Sequence, residues 1–395
     1  MNKTLSELKN TFSNNCGHLP NATGVLAQIQ RIERDIRRLN FSLERAVRDK
    51  QTLAILLSQT SEDLEASYAL IKQVFGRYLS TEVMNSLLEN PGALELGGDR
   101  RPVTIMMTDL RGFTAIAEQL KPEDVVRMLN TYFDVMVEII MDFGGTINEI
   151  IGDSLLVIFG APQELEDRTQ RAVACAIEMQ NAMEIVNRNN LEQGLPSLEM
   201  GIGINDIEAV VGNIGSKKRS KYAVVGSGVN MTSRIESYSV GGQILISESA
   251  QTRIQEQVHI TVTREIFPKG AAAPFNIHEV AGISGEFNQQ LKFREMPLIR
   301  LKEPIPVKYT FVDGKQVITD MHSANIIQLS ETGAKVLFPQ PVSPMANLRV
   351  RLNSESVDDI DFYAKIMGDG DGDGQLIRFT FVPPLIKSYF KNQIL

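Results

Sequence analysis

Across residues 25–74 apolar side chains return every seven positions, and this repeat restricts the fold more than any other stretch. One set of positions is Ile29, Ile36, Leu43, Lys50, Leu57, Leu64 and Ile71; the other is Ile32, Leu39, Ala46, Leu53, Thr60, Ser67 and Val74. Eleven of these fourteen are apolar, Arg, Glu, Asp and Gln crowd the positions between, and no proline interrupts the run. A 3.5-residue period gathers the apolar set on one seam, which leaves water only when another helix covers it. The reading is a coiled coil over 25–74, with Lys50 fixing register or strand number at a cost in stability. One long amphipathic helix packed on its own domain is the alternative. Residues 1–24 read as irregular. Breaks at 75–79 and 91–93 make 75–99 a linker or transducer into a new domain.

A chain of 395 residues holds two or three domains and can bury sizeable cores. Its net charge of −8 argues against a nucleic-acid binder. Cys16 and Cys175 lie far apart, and the four histidines do not cluster, so neither a disulfide framework nor a zinc site is indicated. The N-terminal residues lack the apolar core of a signal peptide, and no run reaches the ~20 apolar residues of a membrane helix. The expectation is a cytoplasmic protein without a membrane span.

Residues 100–283 alternate strand and helix signals. A buried strand is expected at 102–108, and from Glu123 apolar residues recur at helical spacing through Val126, Met128, Leu129, Phe133, Val137 and Ile140. A hairpin follows at 146–159, then a helix at 169–187, strands at 198–204, 209–214 and 222–225, and a helix from 229. This β-α-β-β-α-β order predicts an α+β sandwich of ferredoxin-like type, with helices on one face of an antiparallel sheet. Asp109 and Asp153 each sit where an apolar run meets a glycine turn. A carboxylate there is held rigidly yet open to solvent, as a metal ligand should be. Two of them seat a pair of divalent cations under a triphosphate, whereas either alone reads as an ordinary turn aspartate.

Four stretches, in order, carry a family resemblance: Thr108-Asp109-Leu110-Arg111-Gly112-Phe113-Thr114, then Gly144-Gly145-Thr146 through Gly152-Asp153. Val211-Gly212-Asn213-Ile214-Gly215-Ser216 and Val229-Asn230-Met231-Thr232-Ser233-Arg234 complete the set. The zone resembles the class III nucleotidyl cyclases, the adenylate and guanylate cyclases, and the lead-in at 75–80 is most like cyanobacterial members. The resemblance implies that Asp109, Asp153 and the main chain of Leu110 hold two Mg²⁺ or Mn²⁺ ions. Arg111, Gly112, Phe113 and Thr114 would then meet the phosphates, as successive amides in a turn form an anion nest. Asn230 would orient the ribose and Arg234 would stabilise the transition-state phosphate; four residues apart on a helix, they share one face. It implies too that the site is shared between two chains of a homodimer, for which the coiled coil supplies a tether. Lys269 sits where the family has a phosphate-facing lysine.

The same resemblance places the purine reader at Glu149. A carboxylate only accepts, which suits the N1–H and 2-amino donors of guanine and opposes the acceptor N1 of adenine. The second base position is Ala223, which makes no hydrogen bond. The pair leans to GTP, with ATP as the alternative. A nucleotide-binding scaffold without turnover is the reading from another class.

Residues 294–395 are mostly strand-like, with runs separated by turns, and predict a small β-barrel closed by a helix at 385–390. Gln328-Leu329-Ser330-Glu331-Thr332-Gly333 is similar to the Asp/Asn-x-Ser-x-x-Gly motif of PilZ domains, which bind cyclic di-GMP. Arg300, Ser330 and Gly333 match that family, but Pro304 stands where its second clamp arginine would be. Proline cannot replace a bidentate arginine contact. The expected role is therefore structural or protein-binding, with cyclic di-GMP as the competing ligand. The run 368–374 begins like a calcium loop but has Thr380 at position twelve, and reads as a hairpin turn.

Overall fold

The computed structural model describes residues 2–16, 20–75, 83–84, 95–267, 273–292, 297–313, 316–317, 320–353, 360–368 and 374–394. It divides into two units, residues 1–79 and 80–395. No described helix is long and apolar enough to cross a membrane.

The first unit is two helices, α1 (Asn2–Cys16) and α2 (Ala22–Phe75). Residues 2–16 are thus helical rather than irregular. Leu5, Leu8 and Phe12 repeat at helical spacing within a polar stretch, and Lys9 meets Glu33 of α2 at 3.8 Å. At 54 residues, α2 is about 80 Å long. Among the described residues Ile29 and Ile36 of its seam are half-buried, but most of the seam is open, with Leu39, Leu57 and Leu64 exposed by 69%, 62% and 70%. Most of the linker at 75–99 lies outside the described residues, but its last residues are already strand.

The second unit opens with β1 (Gly97–Leu110), α3 (Phe113–Gln119), α4 (Pro122–Asp142), β2 (Thr146–Ile151), β3 (Ser154–Phe159), α5 (Arg168–Glu192) and β4 (Met200–Ser216). Next come β5 (Arg219–Val225), α6 (Ser227–Tyr238), β6 (Ile244–Ser247), α7 (Glu248–Arg253), β7 (Val258–Ile266), β8 (Phe275–Ile283) and β9 (Gln289–Gln290). The sheet order is β2-β3-β1-β4-β6-β8-β7, with β5 on β4 and β9 on β8. Its first four strands pair antiparallel throughout, as the β-α-β-β-α-β order requires.

Three features depart from the sequence expectation. The two strands expected between 198 and 214 are one, because the polar residues at the supposed break find partners in place. Asn205 Nδ2 donates to Gly228 O at 3.2 Å, and Asp206 accepts from Arg168 Nε at 2.9 Å. The sheet is mixed rather than antiparallel, since β4 and β6 run parallel. Nor do the helices share one face. Met106 and Leu110 pack under α4 and α5 with Met128, Tyr132, Met136 and Ile177. From the other face Val103, Ile105, Leu156 and Ile158 form a second cluster that Val229 of α6 joins. Strand side chains alternate, so β1 feeds both cores.

The remainder comprises β10 (Ile299–Asp313), β11 (Gln316–Val317), β12 (His322–Leu329), β13 (Gly333–Leu337), β14 (Asn347–Leu352), β15 (Asp361–Ile366), β16 (Gln375–Phe381) and α8 (Pro384–Ile394). Six of these strands close into a barrel in the order β10-β12-β13-β16-β15-β14, and β14 pairs back onto β10. Inward residues such as Val307, Ile326, Val350 and Phe362 fill it, plugged by Ile386 and Phe390 of α8. The turn read at 368–374 falls mostly outside the described residues.

Candidate active site

Asp109 lies one residue from the end of β1, and the β2–β3 turn sets Asp153 beside it. Thr108 pairs with Leu155, and Gly152 turns with φ +65°, in the left-handed region that favours glycine. The carboxylates are tied into one constellation. Ser154 Oγ donates to Asp109 Oδ1 at 2.7 Å, Arg111 Nη1 donates to Asp109 Oδ2 at 3.3 Å, and the Leu110 amide donates to Asp153 Oδ2 at 3.1 Å. Burial, then the charge of Asp109, pushes the Asp153 carboxyl up to about 6, against the opposing pull of main-chain amides and Arg111. Two carboxylates that resist joint ionisation suit a hard divalent cation, with phosphate and water oxygens filling the remaining positions. Among the described residues no group of three or more His, Cys, Asp or Glu side chains forms a metal cluster.

Gly112 turns the chain from β1 into α3 with φ +66°. A Cβ there would stand 2.7 Å from Phe381 Cβ and 3.0 Å from Thr380 O, so the barrel packs directly on this turn. Between them lies a cavity of about 400 Å³ lined by Asp109 of β1, Gly112, Thr114 of α3 and Asp153 on one side and by Tyr363 and Phe381 of the barrel on the other, among others. Leu110 and Phe113 also line it. This wall was invisible in the sequence, because it depends on two segments more than 200 residues apart.

Arg111 does not face the cavity. Its side chain turns inward, donating to Glu236 Oε1, to Glu236 O at 3.2 Å and to Ser239 Oγ at 2.9 Å. Burial lowers its pKa, an effect that Asp109 opposes. The main-chain amide of Arg111 donates to Glu199 O at 2.7 Å. Arg111 therefore braces Asp109 from behind, and its expected phosphate contact is replaced by a structural one.

Asn230 is exposed and Arg234 half-buried, both on α6. Neither lines the cavity, and neither do Glu149 and Ala223. Glu149 on β2 forms an ion pair with Lys221 on β5. Lys221 and the buried Ala223 are two apart on one strand and so share a face; that alternation was the available signal for Lys221. Lys269 lies outside the described residues.

Lys365 on β15 was also missed. It is 3% exposed, and its Nζ donates to Ser237 O at 2.6 Å and Ser239 O at 3.2 Å. Burial, then the charge of Arg111, pulls its pKa down to about 7. In the barrel, Arg300 pairs with Gln328 across β10 and β12. Ser330 is consumed by its own turn: its Oγ accepts from the Thr332 and Gly333 amides at 3.3 and 3.1 Å. Gly333 is needed there because a Cβ would meet Ile377 O.

Residues 98–280 match the family model described as the adenylate and guanylate cyclase catalytic domain. The chain carries a cyclase catalytic domain. Among curated proteins, adenylate cyclase 1 of Rhizobium meliloti (strain 1021) is 31% identical over 211 residues, 53% of this chain and 32% of that one. The adenylate cyclase of Anabaena cylindrica is 30% identical over 245 residues, 58% of this chain and 47% of its own. The chain thus spans about a third to a half of the length of these relatives. Among solved structures, the guanylyl cyclase Cya2 is 52% identical, covering 50% of this chain and all of its own, with a TM-score of 0.49. The adenylyl cyclase CyaB from P. aeruginosa is 34% identical, covering 49% of this chain and all of its own, with a TM-score of 0.45.

Proposed function

We propose that this cyclase is a homodimer that converts GTP into the 3′,5′-cyclic monophosphate and pyrophosphate. The observation that carries the reading is the carboxylate pair Asp109 and Asp153, set on adjacent strand ends and opening with Gly112 and Thr114 into one cavity. Asp109, Asp153 and the Leu110 main chain would hold magnesium or manganese ions, which would supply acidity to the attacking 3′-hydroxyl and charge compensation at the α-phosphorus. The turn at 112–114 seats the phosphates, and Ser154 and Arg111 keep the Asp109 carboxylate aimed. Asn230 orients the ribose, and Arg234 meets charge developing on the phosphate.

Asn230, Arg234 and Glu149 stand outside the wall of the aspartate cavity, which supports a site completed by a second chain. The open part of the α2 seam supports the same pairing, as a coiled coil between two copies. Glu149 accepts from the guanine N1–H and 2-amino groups, and its ion pair with Lys221 fixes the carboxylate's orientation. ATP is the competing substrate, favoured by the names of the two curated relatives. The barrel serves a structural or protein-binding role, because Ser330 is bound into its own turn and Pro304 removes half of a dinucleotide clamp. The test is turnover of purified protein with Mn²⁺ and either GTP or ATP. Wild type should prefer GTP, Glu149→Lys should shift preference to ATP, and Asp109→Ala should abolish both activities. An Asp109→Ala rate equal to wild type would refute the site, and a strong wild-type preference for ATP would refute the base assignment.

A further inference from the structure

Phe362, Ala364 and Ile366 of β15 point into the barrel core. Strand alternation therefore directs Asp361, Tyr363 and Lys365 outward. Lys365 is nevertheless almost fully buried, so what covers it is the cyclase domain. Its ammonium ends on the carbonyls of Ser237 and Ser239, at 2.6 and 3.2 Å. These are the closing residues of α6, whose last turn carries no basic side chain of its own. A helix terminus leaves carbonyls without intrahelical donors and concentrates partial negative charge, both of which a cation relieves. Here that cation arrives from another domain.

The same end of α6 is tied to the metal side of the site. Ser239 Oγ accepts from Arg111 Nη2 at 2.9 Å, and Arg111 Nη1 reaches Asp109 at 3.3 Å. One lysine thus fixes the helix bearing Asn230 and Arg234, and through Ser239 and Arg111 it supports the carboxylate of Asp109. We infer that Lys365 is a positioning residue for the cyclase reaction, delivered by the barrel to lock α6 in its productive place. The inference rests on the assignment of Arg234 in the proposed function. It gives the barrel a task that needs no ligand: holding a catalytic element to within the fraction of an ångström that transition-state contacts demand.

The experiment is a double-mutant cycle in the full chain, read as kcat and KM for GTP with Mn²⁺, using Lys365→Met, Arg234→Ala and the double variant. Lys365→Met should lower kcat about tenfold or more with KM within about twofold, since α6 contacts the transition state rather than the bound substrate. Lys365→Arg, which keeps the charge, should recover most of the rate. In the Arg234→Ala background Lys365→Met should cost clearly less than in wild type, because part of its effect passes through the placement of Arg234. Thermal melts by circular dichroism check that each variant is folded at the assay temperature. If Lys365→Met is too unstable to assay, Lys365→Gln, which removes the charge while keeping a shorter polar side chain, takes its place in the cycle and should show the same loss of kcat. An unchanged or increased kcat in Lys365→Met, or losses that multiply fully in the double variant, would overturn the inference while leaving the proposed function standing. An Arg234→Ala enzyme with wild-type kcat would overturn both.

Discussion

Gly203 offers a measurement of how tightly the catalytic helix must sit. It lies in the middle of β4, between Met107 of β1 and Leu245 of β6, and α6 crosses directly over it. A Cβ on Gly203 would come within 2.6 Å of Glu236 Cα and 2.7 Å of Glu236 Cβ, and would also crowd the Glu236 amide. Helix backbone cannot swing aside as a flexible side chain can. In Gly203→Ala, α6 must therefore retreat by roughly 1 Å to regain an ordinary ~3.5 Å carbon contact. Overpacking of this kind costs about 1–3 kcal/mol, within the ~5–15 kcal/mol total of a domain, so the variant should fold with a lowered melting temperature. A shift of ~1 Å in groups that must meet a transition state costs about a hundredfold in rate, or about 2.7 kcal/mol in the barrier. The assay is the initial rate with Mn²⁺ and GTP beside a thermal melt. Gly226→Ala is the control at the other end of the helix. Its added Cβ would meet Ala209 Cβ at 3.7 Å and Glu208 O at 3.8 Å, ordinary contacts that should leave kcat near wild type. A Gly203→Ala enzyme that keeps kcat within about threefold would refute the claim that α6 placement limits catalysis.

Three other outcomes are expected. Asp153, raised to about 6 by burial and by Asp109, holds a proton below that pH, so Mn²⁺ affinity measured calorimetrically should fall about tenfold per pH unit below ~6 and level off above it. Asp109→Asn should move this break to lower pH. For folding, the stability that Asp153 contributes is full below its ordinary value of 3.8 and is lost as the pH rises through about 6. Arg168→Ala would strand Asp206, whose carboxylate takes Arg168 Nε at 2.9 Å and Nη2 at 3.2 Å. Urea unfolding should show a loss of about 3–5 kcal/mol, and a loss under ~1 kcal/mol would mean that the hydroxyls of Thr104 and Thr169 suffice. Phe362→Ala removes a fully buried ring that meets Phe379 and Phe390 edge-on at 5.6 and 5.5 Å. It should cost the barrel about 3–5 kcal/mol by thermal melt.

What the sequence disclosed was whatever is encoded locally. Asp109 and Asp153 were legible because each carboxylate lies where an apolar strand meets a glycine turn; the pairing of β1 with β3 then brings them together. The barrel strands were legible from alternation and turn residues, and α8 from its short amphipathic run. What stayed hidden depends on contacts between distant segments. Arg111 was expected to offer its main-chain amide to phosphate because nothing local shows that Glu199 O takes that amide, or that Glu236 and Ser239 take its side chain. The break expected in β4 came from Asn205, Asp206 and Glu208, polar residues that would end a strand unless α5 and α6 supply partners. The placement of α6 opposite α4 and α5 follows from β1 having two apolar faces, and that alternation was readable in Val103, Ile105 and Met106.

Buried charge lies in the seam between barrel and sheet beside an apolar patch, where Met345 packs with Ile235, Leu245 and Ile277, and the charged part bears on how the two halves of the second unit work together. Arg111, Glu236 and Lys365 meet there, and Glu199, raised by burial, feels the opposing charges of Arg378, Lys387 and Arg111. Burying ions forfeits hydration that their attraction repays only in good geometry. The charged part contributes less stability than apolar contact of equal area, and it penalises a shift in register more heavily, because each displaced ion loses its partners. Arg111 sits at its centre with one arm on Asp109 and another on Ser239, and Lys365 holds the same serine's carbonyl from the barrel. Through these bonds a displacement of the barrel reaches both Asp109 and α6. If Lys365 positions α6 as inferred, a partner that moves this barrel should change kcat before it changes KM, which titration of such a partner into the kinetic assay would read.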